Sequence, residues 1–186
     1  MRCFVAIDVP QEVKENVRGL IEGIRHTSRG VRWVPVENIH VTLKFLGEIP
    51  DGTVDKVRAR VAEVCGRHEP FTVSVRGTGA FPSIRRPSVL WVGIEVTEEM
   101  ELLYDETDAS LSELGFTRET RKFSPHLTVA RVRDARDIEW TVKEFCTFRE
   151  TFFGTIPVRE VLVMQSVLKP TGAEYRKVHG CAIGTG

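Results

Sequence analysis

Two short segments carry residue types that could do acid–base chemistry. His40-Val41-Thr42-Leu43 returns in altered form as His126-Leu127-Thr128-Val129. Each places an imidazole and a hydroxyl two residues apart, with apolar residues between. Side chains of a β-strand alternate between faces, so His and Thr would point one way and the apolar pair the other. Histidine gives or takes a proton near neutral pH. Two such strands facing one cleft would supply two proton carriers, one to activate a nucleophile and one to protonate a leaving oxygen. A threonine about 6.5–7 Å along the same face could donate to a phosphate oxygen held between them. The chemistry indicated is cleavage of a phosphate ester.

Either segment alone would be an ordinary strand, since threonine is a good strand residue. Their repetition, at a separation close to half the 186-residue chain, marks them out. His26, His68 and His179 have no such context and read as structural. Negative charge builds up on a phosphate during its reaction, so a cation should accompany the pair. Arg131 and Lys44 are the candidates. Arg131 lies five residues after His126, an odd offset that reaches the cleft only if the strand twists, bulges or ends there. Lys44, four after His40, has the right parity.

The elements that must hold these residues alternate in type. Cys3–Asp8 reads as a strand. Pro10 then precedes a helical stripe of Val13, Val17, Leu20, Ile21 and Ile24, with Gly30 closing the unit. Val31–Val34 and Ile39–Leu46 read as strands. Val54, Val57, Val61 and Val64 mark a second helix. Phe71–Val75 and Val89–Val96 are strand-like, with an irregular loop expected over Gly77–Pro82 and Arg85–Pro87. Thr97-Glu98-Glu99 opens a third helix, expected to run to Leu114 and stop at Gly115. His126–Val132 is the second tetrad strand, and Ile138–Phe145 a short helix. The tail is β-rich over Phe152–Leu168, broken near Pro157, with Tyr175–His179 as a last strand. The pattern is α+β, with helices laid on antiparallel sheets. One tetrad in each half implies a bilobal, pseudo-duplicated architecture. With no Pro/Gly/Ser-rich linker, residues 1–186 are expected to form a single domain of two interleaved lobes, with one motif each at 40–43 and 126–129.

Composition narrows the function. The 26 basic and 26 acidic residues balance, which argues against a long track for duplex nucleic acid but not against holding one phosphate at an end. Arg85-Arg86 and Arg118–Lys122 are local basic patches. Cys3, Cys65, Cys146 and Cys181 are scattered, with no metal or redox spacing, and read as reduced, mostly buried thiols. No apolar run approaches a membrane span, and the N-terminus is too soon acidic for a signal peptide. A cytoplasmic protein without membrane attachment is expected.

Beyond the tetrads, the start Phe4-Val5-Ala6-Ile7-Asp8, the run Glu37–Gly47, the segment Phe123–Arg131 and the late Ser166-Val167-Leu168 with Gly172 and Tyr175 resemble the two-histidine (2H) phosphoesterase superfamily. Within it the likeness is to RNA 2′,3′-cyclic phosphodiesterases, also called 2′-5′ RNA ligases. The resemblance implies two antiparallel sheets flanking a central cleft, with helices on their outer faces. It implies hydrolysis of an RNA 2′,3′-cyclic phosphate end to a 2′-phosphate with no metal and no cofactor, and in some members ATP-independent joining of tRNA halves. His40 would then be the proton donor and His126 the proton acceptor. Thr42, Thr128 and Arg131 would hold the phosphate, and Phe45 would meet the terminal base or ribose, unless it packs in the core. The alternatives are a chain that works chiefly as a ligase and a non-catalytic binder of RNA ends. A monomer is expected.

Overall fold

The computed structural model describes residues 1–26, 28–136, 138–169 and 172–184. Among the described residues, nine strands and four α-helices follow in the order β1 (Arg2–Ile7), α1 (Gln11–Arg25), β2 (Val31–Trp33), β3 (Val41–Glu48), α2 (Asp51–Cys65), β4 (Phe71–Phe81), β5 (Val89–Ile94), α3 (Glu98–Ser112), β6 (His126–Val132), α4 (Glu139–Phe145), β7 (Phe152–Val158), β8 (Glu160–Lys169) and β9 (Gly172–Ala182). The strands form one curled antiparallel sheet in the order β7-β4-β5-β6-β3-β1-β8-β9, with β2 on β6.

The two expected sheets are the wings of this one sheet. They meet where β3 touches β6 at a single pair, Val41 with Leu127. Beyond it β2, not β3, accompanies β6, pairing Trp33 with Ala130 and Arg32 with Arg131. The strands therefore diverge from the seam and open a cleft. The histidine strands are the innermost strand of each wing.

Helices lock the wings together. The stripe read from sequence on α1, Val13 through Ile24, is the buried face. Helix α1 leads from β1 in one wing to β2, which pairs with β6 of the other; it packs on β7 of that second wing, and Asn16 Nδ2 donates to the Phe153 carbonyl at 2.9 Å. Reciprocally, α3 connects β5 to β6 yet packs on β3. Thr97 caps α3, its hydroxyl accepting from the Met100 amide at 3.2 Å, which satisfies one of the free N–H groups of the first turn.

Three expectations at element boundaries need correction. Gly77–Phe81 is not loop but the second half of β4. A register shift between Val75 and Thr78 lets the strand resume, and Gly79 lies so close to the Trp91 ring that a Cβ would come within 2.3 Å of it. Pro157 does not break the tail. It lies within β7, an outermost strand, where a missing N–H is tolerated, and the break falls at Arg159. The first helix ends at Arg25 rather than at Gly30. All four cysteines are free, Cys146 half-buried and the others buried. Burial pushes the Cys65 thiol up to about 12. No helix among the described residues is long and apolar enough to cross a membrane.

Candidate active site

The seam brings the tetrads together. Antiparallel pairing of Val41 with Leu127 sets His40 beside Thr128 and Thr42 beside His126. Val41, Leu43, Leu127 and Val129 are buried, while the two histidines and two threonines are half-buried. Strand alternation alone delivers this division.

Each imidazole is fixed in the same way. The Nδ1–H of His40 donates to the Asn38 carbonyl at 2.8 Å, and that of His126 to the Ser124 carbonyl at 2.8 Å. A carbonyl oxygen only accepts, so Nδ1 carries the proton in both rings. In the neutral ring Nε2 is then the nitrogen with the free lone pair. Aromatic rings set the planes. His40 lies 4.6 Å from the Phe4 ring and meets Tyr175 edge-on at 5.0 Å. His126 meets Phe81 edge-on at 4.9 Å and lies 6.5 Å from Trp91.

This packing alters the proton affinities. Burial pushes both histidines below the ordinary value of about 6.5, and the backbone hydrogen bonds offset part of the effect. His40 also feels Asp8, which favours its charged form, against Lys14 and His126, which oppose it. Among the described residues, no carboxylate shifts the proton affinity of His126. The two rings are close enough that a proton on one disfavours a proton on the other.

Arg131 reaches the cleft side through a β-bulge. On β5, Leu90 pairs with Ala130 and the next residue, Trp91, with Thr128, so Val129 is the extra residue on β6. Val129 and Ala130 are consecutive buried residues, and Arg131 turns out on the face of Thr128. The displaced Val129 carbonyl is taken by the Val34 amide at 2.8 Å. The first motif is built alike. On β1, Val5 pairs with Lys44 and Ala6 with Thr42, so β3 has Leu43 as its extra residue. Leu43 and Lys44 are both buried, and Phe45 emerges on the face of Thr42, 72% exposed.

The same bulge removes Lys44 as a phosphate ligand despite its parity. Its ammonium is ion-paired with Asp108 and donates to the Thr117 carbonyl at 2.7 Å. Both side chains are almost fully buried. Burial raises the Asp108 pKa, but hydrogen bonds from Lys44 and Arg118 outweigh it and leave the carboxyl below its usual range. Asp108 also accepts from the Glu119 amide, and Tyr104 stacks on Phe123 at 3.8 Å. These contacts tie the segment 117–124 to α3 as one wall of the cleft.

Two cavities flank the seam. The larger, about 930 Å³, is lined by Thr42, Phe45, Phe81, Pro82, Phe123 and His126. The smaller, about 370 Å³, is lined by Asn38, Arg131 and Tyr175 among others. The predicted residues thus divide, with Thr42, Phe45 and His126 on one side and Arg131 on the other. His40 and Thr128 stand at the seam. Of the basic patches, 118–122 lines the larger cavity, while Arg85 and Arg86 line neither. The aromatic partners of the histidines had no signal in the spacing of the tetrads. No cluster of three or more metal-ligating side chains occurs among the described residues.

Comparison with known proteins agrees with this architecture. The model of the LigT-like phosphoesterase family matches residues 7–91 and again 92–175, one copy for each tetrad. The RNA 2′,3′-cyclic phosphodiesterase of Archaeoglobus fulgidus is 36% identical over 177 residues, covering 95% of this chain and 97% of that protein. The protein of the same description from Thermotoga maritima is 34% identical over 181 residues, covering 97% and 95%. Among solved structures, TT0787 of Thermus thermophilus superposes with a TM-score of 0.81 at 28% identity, covering 99% of this chain and 98% of that one. Escherichia coli LigT complexed with 3′-AMP shares the fold, with a TM-score of 0.77 at 22% identity over 98% and 97% of the chains. With both halves matched and one tetrad in each, the chain belongs to the LigT-like phosphoesterase family.

Proposed function

We propose that this protein hydrolyses the 2′,3′-cyclic phosphate at an RNA 3′ end to a 2′-phosphate, by acid–base catalysis between His40 and His126. The observation that carries the reading is the matched pair of imidazoles, each with Nδ1–H held by a backbone carbonyl and Nε2 left for the reaction. Similarity over nearly the full length to proteins described as RNA 2′,3′-cyclic phosphodiesterases supports the substrate class.

In this reading the phosphate lies at the seam. Thr42 and Thr128 donate to its non-bridging oxygens, and Arg131 offsets their charge. Water attacks phosphorus in line with the 3′ oxygen. Nε2 of neutral His126 takes the water proton as the oxygen–phosphorus bond forms. The bond from phosphorus to the 3′ oxygen breaks, and protonated His40 gives that oxygen its Nε2 proton. The products are a 2′-phosphomonoester and a free 3′-hydroxyl, and proton exchange with water resets the rings. Asp8 favours a proton on His40, and no carboxylate among the described residues does so for His126, which suits His40 to be the acid and His126 the base. Acid, base and charge stabilisation all come from side chains, so the scheme calls on no metal.

Phe45 and the apolar part of the larger cavity would hold the terminal nucleoside. An RNA 5′-hydroxyl in place of water would give a 2′-5′ phosphodiester through the same steps, and tRNA halves are one such pair of ends. A binder that performs no chemistry would have no use for two proton carriers. The test is incubation with RNA ending in a 2′,3′-cyclic phosphate, alone and with a 5′-hydroxyl RNA. The expected product of the first is the 2′-monophosphate. A 3′-monophosphate product, or no turnover at all, is incompatible with the scheme.

A further inference from the structure

The charged side chains that line the smaller cavity are mostly cations. Arg32, Arg131, Arg133 and Lys169 line it, with Glu174 as the one carboxylate among the described residues there. Glu174 is already engaged by Lys169 and by Arg176, whose Nε donates to it at 2.7 Å. Several arginines outside the cavity are paired with carboxylates: Arg18 with Glu37, Arg60 with Glu113, Arg67 with Glu106, Arg76 with Glu95 and Arg136 with Asp134. Arg131 and Arg133 have no ion pair among the described residues. In a chain with equal numbers of acidic and basic residues, this is a local excess of positive charge.

The excess is built into the sheet. Arg32 and Arg131 are direct cross-strand partners on β2 and β6, so their side chains leave the sheet on the same face. Gly172 makes room for the arrangement, since a Cβ there would lie 2.7 Å from the Arg32 guanidinium. An anion in this cavity would take bidentate hydrogen bonds from the guanidinium forks of Arg131 and Arg133.

The cavity adjoins the reaction site. Tyr175 lines it and packs on His40, and Asn38 lines it while its carbonyl orients the His40 ring. Because of the bulge at Val129, Arg131 stands two strand steps beyond Thr128 on the same face, roughly 7 Å along the strand. That is the reach of one nucleotide from its 3′ phosphate to its 5′ phosphate.

We infer that this cavity is a second phosphate subsite, which takes the phosphodiester on the 5′ side of the cyclic end and so sets the direction in which the RNA strand leaves the cleft. The inference rests on the proposed cyclic-phosphate activity and adds a polarity to it. The terminal nucleoside lies toward Phe45, the cyclic phosphate lies at the seam, and the chain departs past Arg131 toward Arg133 and Lys169.

The test compares a 2′,3′-cyclic mononucleotide bearing a 5′-hydroxyl with a dinucleotide ending in the same cyclic phosphate, in the wild type and in Arg133→Gln/Lys169→Gln. Both replaced side chains are exposed, so the fold is retained. The wild type should show a lower KM for the dinucleotide. The double variant should turn over the mononucleotide within twofold of wild type, but with KM for the dinucleotide raised about tenfold and kcat kept. The slope of log KM against log salt for the dinucleotide should flatten by about 0.7 for each phosphate left without its cation. Mononucleotide turnover by the wild type reports on the activity itself, and the ratio between substrates reports on the subsite. A double variant that handles the dinucleotide as the wild type does overturns the subsite and leaves the active-site reading intact. A separate dinucleoside monophosphate should not lower KM for the mononucleotide. If it does, the occupant is a second strand and the assignment to the substrate's own chain falls.

Discussion

Phe45 and Arg131 occupy equivalent positions in the two halves of the molecule. Each stands five residues after a cleft histidine, and each is turned to the cleft face by a bulge at the residue following a threonine, Leu43 in one strand and Val129 in the other. The histidines and threonines are near-duplicates, so they cannot by themselves tell one side of a phosphate from the other. An aromatic ring on one side and a guanidinium on the other can. Phe45→Ala should therefore raise KM for a cyclic nucleotide severalfold while changing stability by no more than about 0.5 kcal/mol, because the ring is 72% exposed. Arg131→Ala should lower kcat/KM about 10²-fold, and Arg131→Lys should recover only part of that. Steady-state kinetics beside thermal denaturation separate these from a packing role, which would lower the melting temperature of Phe45→Ala markedly.

Replacing either proton carrier should be severe. His40→Ala and His126→Ala are each expected to lose about 10²–10⁴ in turnover of a 2′,3′-cyclic nucleotide, with circular dichroism unchanged. Wild-type turnover in either variant would remove that histidine from the mechanism.

The pH dependence follows from the direction of the shifts. Both imidazoles titrate below about 6.5 in the free protein, and the reaction needs one charged and one neutral. Raising the pH above that value drains the imidazolium, so kcat/KM should peak on the acid side of 6.5 and fall as pH rises. A bound phosphate anion retains the proton, so the upper limb of kcat should lie at higher pH than that of kcat/KM. Asp8→Asn removes a charge that favours imidazolium at His40 and should move the upper limb of kcat/KM toward acid. Stability has the matching sign. The unfolded chain binds protons at these sites more readily, so stability should drop as pH falls from about 6.5 through the lower folded values. Histidine titration by NMR, with and without phosphate, checks both.

Activity should survive EDTA. Loss of turnover on chelation, restored by a divalent ion, would sink a scheme in which side chains alone supply acid, base and charge stabilisation.

Breaking the Lys44–Asp108 pair should destabilise the protein and loosen the cleft wall. Lys44→Met leaves a buried carboxylate short of its main partner and is expected to lose about 3–5 kcal/mol, while Lys44→Met/Asp108→Leu should recover much of it. Denaturant unfolding of the two variants measures the difference.

The sequence by itself determined what strand and helix periodicity can determine. Alternation put the histidines and threonines on one face and Val41, Leu43, Leu127 and Val129 on the other, and the stripe from Val13 to Ile24 faces the core as its spacing requires. These are local properties, set by 2.0- and 3.6-residue periods that each segment carries in itself. The order of elements and the repeat of the tetrad were enough to indicate an α+β fold in two related halves.

Only the tertiary structure decided the rest, because the rest depends on partners distant in the chain. A bulge exists relative to a neighbouring strand. The parity of Arg131 and Phe45 was therefore settled by β5 and β1, not by the segments that contain them. Lys44 had the parity of a phosphate ligand until Asp108, on a helix of the other half, took its charge. The tautomers of the histidines were fixed by two backbone carbonyls, which leave no trace in residue identity. The meeting of the two tetrads rests on one pair of residues, Val41 and Leu127, at the seam between the wings.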